Sequence, residues 1–150
     1  MRGYNFSNEV ANLLRAARAE ATRLGSGYVS PEVLLLGMLA EDGTLAARAL
    51  TNLGMTREVV TQLAEQQIAR LPRSEARTSG MMPYTSAAKR ALEGAMDEAS
   101  EVNYRYVDTE HVLLGILRDP QSDTVKMLAE HDVTVDRVRT ELERLRSSSH

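Results

Sequence analysis

Glu110 and His111 stand side by side at the start of an apolar run, a carboxylate next to an imidazole. An imidazole titrates near neutral pH and is the commonest general acid or base, so the pair could serve a small acid–base enzyme. That reading needs a third group. No nucleophile or second histidine stands at ligand spacing from His111; the remaining histidines are His131 and the terminal His150. The sequence also lacks the G-x-x-x-x-G-K-[ST] loop that cradles phosphates, the G-x-S-x-G elbow and the H-E-x-x-H zinc helix. A zinc site needs three or four convergent ligands, and there is no cysteine to offer a thiolate or a disulfide. The pair reads better as a helix-start histidine hydrogen-bonded to a neighbour. No enzyme activity, cofactor or metal is expected.

Other residues suit surfaces better than reactions. Tyr104 and Tyr106 flank Arg105 and could form a contact patch, although Tyr106 has a counterpart in Tyr28 that favours a structural role. Met38, Met55, Met96 and Met127 fall at core spacing, whereas Met81-Met82 lie between the two halves of the chain. Glu141, Glu143, Arg144 and Arg146 read as a solvated helix face.

Composition narrows the class. A formal net charge of -3 argues against nucleic acid as the main partner, because phosphate backbones demand a basic face. No apolar run approaches the length of a membrane span, and Met1-Arg2-Gly3-Tyr4-Asn5 has no hydrophobic stretch behind it, so neither a membrane anchor nor a signal peptide is expected. With the absence of cysteine, this points to the cytoplasm. Aromatics make up only 4% of the chain, so the core must come from Leu, Val, Ala and Met. The abundance of Ala and Leu decides for helix.

The elements that would carry these residues occur twice. Phe6-Ser7 recurs as Tyr84-Thr85, an offset of 78 residues (84 less 6). The same shift carries Glu20-Ala21 onto Glu98-Ala99, Tyr28-Val29 onto Tyr106-Val107, Glu32 onto Glu110, Gly37 onto Gly115 and Leu50 onto Leu128. No gap is needed from Phe6 to Val60, so the chain is an internal duplication.

Each copy predicts four helices. The first opens at the N-caps Ser7 and Thr85, and in copy one it ends near Leu24-Gly25. The second opens at Ser30-Pro31-Glu32 and Asp108-Thr109-Glu110 and runs through Val33–Leu39 or Val112–Leu117, apolar enough to be a buried central helix. The third covers about Thr44 to Leu53 and Ser122 to Glu130, and the fourth opens at Thr56 and Thr134. The expected fold is all-α, two tandem four-helix repeats packed as a pseudo-twofold single domain over 1–150, with repeat one at about 6–70, a linker at about 71–83 and repeat two at about 84–146. No strand is required.

The run Tyr106-Val107-Asp108-Thr109-Glu110-His111-Val112-Leu113-Leu114-Gly115-Ile116-Leu117 resembles the Y-I-G-T-E-H-I-L-L-G-L signature of the Clp repeat in the amino-terminal domains of ClpC-type AAA+ unfoldases. Tyr28-Val29-Ser30-Pro31-Glu32-Val33-Leu34-Leu35-Leu36-Gly37-Met38-Leu39 resembles it more loosely, and Phe6-Ser7 and Tyr84-Thr85 resemble the family's aromatic-Thr start. The resemblance implies a non-catalytic domain that docks adaptor proteins and protein substrates above an ATP-driven ring feeding the ClpP peptidase. It also implies phosphoarginine recognition at one site per repeat, Ser7 with Glu32 and Thr85 with Glu110. The residues themselves leave a plainer reading open, in which Ser7 and Thr85 are only caps and both glutamates only complement helix dipoles. Pro31 stands where the family has Thr and Val33 where it has His. Gly43-Thr44-Leu45-Ala46-Ala47 keeps only part of the family's G-E-G-V-A-A turn, which suggests a paralogue. The chain would then be either an excised docking domain or a free-standing Clp-repeat regulator that competes with one. A purely structural oligomerisation domain is a third reading.

Overall fold

The computed structural model describes residues 5–70 and 82–148. Copy one forms β1 (Asn5–Phe6), α1 (Asn8–Arg23), α2 (Pro31–Leu39), α3 (Leu45–Asn52) and α4 (Arg57–Arg70). Copy two forms α5 (Ser86–Glu101), β2 (Tyr106–Val107), α6 (Thr109–Leu117), α7 (Asp123–Glu130) and α8 (Val135–Ser147). Each helix of copy two begins 78 residues after its counterpart, Ser86 after Asn8 and Thr109 after Pro31 among them. Most of the expected linker, 71–81, lies outside the described residues, as do Met1, Met81 and His150.

Local chemistry sets the boundaries. The hydroxyls of Ser7, Ser30, Thr44, Thr85 and Thr134 each accept from a backbone N–H in the first turn behind them, and Ser122 does the same at α7. Gly25 and Gly54 take positive φ at the turns after α1 and α3. Copy two puts Asn103 and Asp132 at the matching turns, the polar residue types that tolerate that conformation best.

The two most apolar helices form the centre. All of α6 is buried, and α2 is buried from Pro31 to Met38. Helix α1 packs on α2, and α5 on α6, around glycines. A Cβ at Gly37 would stand 2.5 Å from the Leu13 carbonyl oxygen, and one at Gly115 would collide with the Ala91 carbonyl. Both glycines therefore let backbones touch. Contacts of α3 with α8 and α6, of α1 with α6 and of α2 with α5 close the two copies over one shared core.

One expectation needs correction. A short parallel pair exists, with Asn5 opposite Tyr106 and Phe6 opposite Val107, and its pseudo-symmetric mate is the bridge between Val29 and Tyr84. The Ser7 N–H donates to the Val107 carbonyl at 2.9 Å, and the Thr85 N–H to the Val29 carbonyl at 3.0 Å. Extended residues ahead of α1 and α5 carry backbone groups with no helical partner, and the other copy satisfies them. Two residues are too few to write an alternating pattern into the sequence.

Candidate functional site

That reciprocal pairing redistributes the expected site residues. Thr85 is carried to the start of α2, where it lines a cavity with Ser30, Pro31, Glu32, Ser122 and Thr124. Ser7 is carried to the start of α6, where its hydroxyl donates to Asp108 Oδ1 at 3.0 Å, two residues from Glu110. The pairing within each copy, Ser7 with Glu32 and Thr85 with Glu110, is therefore corrected to Thr85 with Glu32 and Ser7 with the Glu110 helix. Each cavity is composite. The amino ends of α2, α5 and α7 converge at the first, and those of α6, α1 and α3 at the second.

The Glu32 cavity holds about 210 Å³. Glu32 is only 1% exposed on its floor, and the Thr124 hydroxyl donates to its Oε2 at 2.6 Å. Burial pushes the Glu32 carboxyl above the usual carboxylate range, against the pull of the hydrogen bond from Thr124. Arg90 lines the same cavity and is held by Asp119, Nε to Oδ2 at 2.9 Å. Gln67 also lines it, and its Oε1 is buried without a hydrogen-bond partner. One cavity thus presents helix N-termini and an arginine beside a buried carboxylate, poles for an anion and for a cation.

The second cavity holds about 440 Å³, and Asp108, Thr109, Glu110, Thr44, Glu9 and Glu41 line it. Glu110 is 2% exposed; its Oε2 meets Arg146 Nη2 at 3.4 Å, and its Oε1 is buried without a partner. His111 is tied into the start of α6. Its Nδ1 accepts the Asp108 N–H at 2.9 Å while the Asp108 side chain caps α6 in return, a reciprocal capping box. Burial pushes the His111 imidazole below its ordinary value, with Glu110 and Asp108 opposing. Nδ1 is therefore an acceptor fixed in a helix cap, and Nε2 is buried without a hydrogen-bond partner.

A model of the family described as the Clp repeat (R) N-terminal domain matches residues 5–131 and again residues 83–148. The chain belongs to the Clp repeat N-terminal domain family. It is 33% identical over 144 residues to the Bacillus subtilis (strain 168) protein named negative regulator of genetic competence ClpC/MecB, a match that covers 96% of this chain and 17% of that protein. It is 31% identical over 140 residues to the Guillardia theta ATP-dependent Clp protease ATP-binding subunit ClpA homolog, again covering 17% of the relative. The chain thus spans about a sixth of these relatives. The Arabidopsis thaliana ClpD N-terminal domain superimposes with a TM-score of 0.71 at 20% identity, covering 95% of each chain. The Candida albicans Hsp104 N-terminal domain gives 0.72 at 17% identity, covering 97% of this chain and 94% of that one. These two likenesses establish the fold.

In this Clp repeat domain the remaining candidates divide cleanly. Met38, Met55 and Met96 are buried, and Met82 packs half-buried against the core. Tyr104 and Tyr106 keep 43% and 49% of their surface; the Tyr104 ring meets His111 edge-on at 4.8 Å, while Tyr106 contributes backbone pairing and leaves its side chain outside. The α8 charges are less solvated than expected, since Arg146 reaches Glu110, and Glu141 accepts from Asn52 at 2.8 Å as well as from Arg144. Arg90, Gln67 and Thr124 escaped the sequence reading, because each meets Glu32's cavity only through long-range packing. Comparison of Thr124 with its repeat partner Ala46 was the one available hint. No helix among the described residues is long and apolar enough to cross a membrane.

Proposed function

We propose that this Clp repeat domain is a non-catalytic reception module that docks adaptors or protein substrates for a Clp unfoldase ring and, through it, a ClpP-type peptidase. Membership of the family supports the docking role. Within it, the Glu32 cavity is the candidate for a phosphoarginine side chain. The observation that carries this reading is the presence of both Glu32 and Arg90 in the lining of one cavity, with Thr85 and Ser122. Glu32 would hold the guanidinium by charge-assisted bonds, with Gln67 Oε1 as a further acceptor. Arg90 and the free N–H groups at the starts of α5 and α7 would take the phosphoryl oxygens. Pro31 removes one N–H at the first turn of α2, so the phosphoryl oxygens fall to Arg90 and to the starts of α5 and α7.

Calorimetric titration of a phosphoarginine peptide into the chain tests this. Binding should fall at least about tenfold in Arg90→Ala, and in Glu32→Gln, since each removes one pole. Absence of heat from the unaltered chain, or an affinity in either variant equal to that of the unaltered chain, would remove the assignment.

A further inference from the structure

We infer that the second cavity, at the start of α6, takes an unmodified arginine side chain from a partner polypeptide, so that the two cavities differ in the charge of the ligand they admit. Like the proposed function, this takes the domain to receive segments of other proteins, but it does not depend on phosphoarginine binding at Glu32.

The 78-residue offset lets the cavities be compared position by position. Thr124, which donates to Glu32, corresponds to Ala46, so no hydroxyl answers Glu110 and its Oε1 is left buried without a donor. Arg90 corresponds to Asn12. Where Arg90 binds Asp119 as an ion pair at 2.9 Å, Asn12 offers Glu41 only an amide at 3.5 Å. Ala87 corresponds to Glu9, and Ser30 to Asp108. Each of these replacements adds a negative charge, deletes a cation or deletes a donor, while Asp123, which also lines the Glu32 cavity, gives way to Leu45. The outcome is a cavity of about 440 Å³ lined by Glu9, Glu41, Asp108 and Glu110 with no basic lining residue. Arg146 approaches from α8 and covers only Glu110 Oε2.

A buried carboxylate oxygen without a donor is costly, and a ligand that supplies one recovers that cost. A guanidinium suits the site because it is planar, always charged, weakly hydrated and rich in donors, whereas an ammonium must surrender a tighter hydration shell. A phosphoryl group would face four carboxylates without a countercharge on the cavity wall. Among the described residues, no group of three or more histidines or acids is placed to hold a metal ion, which leaves an organic cation as the fitting class.

The test is an NMR amide titration of the whole chain with three end-capped peptides that differ only in carrying arginine, citrulline or phosphoarginine. The arginine peptide should shift the amides of Thr44, Thr109 and Glu110, and the citrulline peptide should not. Asn12→Arg, at a half-exposed position, restores the cation of the other cavity and should weaken arginine binding about tenfold or more. Glu110→Gln should do the same, and Glu41→Gln, at an exposed position, should weaken it severalfold without touching the core. Equal shifts with citrulline, unchanged affinity in Asn12→Arg, or stronger response of these amides to phosphoarginine would overturn the assignment. Shifts at Thr85 and Ser122 report the Glu32 cavity separately, so failure there with arginine still bound at Thr109 sinks only the phosphoarginine reading.

Discussion

The Thr124 hydroxyl donates to Glu32 Oε2 at 2.6 Å across 92 residues of chain, joining the start of α7 to the start of α2. The bond ties a carboxylate that burial disfavours to the opposite copy, so cavity chemistry and the packing of the copies share one contact. Thr124→Val would keep the shape and delete the donor. Because burial raises Glu32's folded value above its unfolded one, the group favours folding at low pH and loses that contribution as pH rises through the folded value. The variant should therefore lose about 1–3 kcal/mol near pH 7 and less below about pH 4. Urea unfolding at the two pH values measures this; an equal loss at both would mean that packing, not the carboxylate, sets the effect.

Sequence made the helices legible because each one announces itself through a cap: Ser7, Ser30, Thr44, Thr56, Thr85, Asp108, Ser122 and Thr134 all stand where chemistry required. The duplication foretold a pseudo-twofold core. What stayed hidden was which copy supplies each neighbour. Ser7 sits nearer in sequence to Glu32 than to Asp108, yet the hydrogen bond runs to Asp108, 101 residues away. Offsets within a repeat are invariant under exchange of partners between repeats, so no spacing rule could separate the two arrangements.

Gly115→Ala should destabilise the domain strongly. Its new methyl would meet the Ala91 carbonyl and lie 2.5 Å from the Ala95 nitrogen, both backbone atoms of α5 that cannot swing aside. Overpacking of this kind costs about 1–3 kcal/mol. Gly43→Ala is the control, since nothing stands within 4 Å of its Cβ position and its backbone is not left-handed. Thermal melts of the two variants should separate by several degrees; coincident melts would show that α5 and α6 can move apart freely.

His111 should make the domain sensitive to mild acid. Its folded value lies below the unfolded one, so its contribution is full above about pH 6.5 and declines as pH falls from there toward the folded value, where the native state also takes the proton. Protonation at Nδ1 would put a hydrogen where the Asp108 N–H now donates, although Glu110, Asp108 and Glu98 partly favour the cation and Arg146 opposes it. Unfolding free energy should slope between pH 7 and 5 in the unaltered chain and slope less in His111→Gln. Identical slopes would move the acid response to another group.

A second loss should follow at lower pH, from Glu98. Burial pushes this carboxyl up, but hydrogen bonds from Arg139 at 3.0 Å and Arg118 at 2.7 Å outweigh it and hold it below the usual carboxylate range. A lowered folded value means stability that is present above about pH 4.3 and disappears as pH falls through the folded value. Arg139 reaches from α8, so the ion pair also anchors the last helix to α5. Arg139→Ala leaves Arg118 in place, and both arginines are partly exposed, which keeps the expected cost to about 1–2 kcal/mol at pH 7. The same variant should shift the acid-unfolding midpoint toward neutral while leaving the slope between pH 7 and 5 intact, because Glu98 is held below the usual carboxylate range. A change in that upper slope, followed by circular dichroism across the titration, would show the two groups to be one coupled acid switch instead of two separate ones.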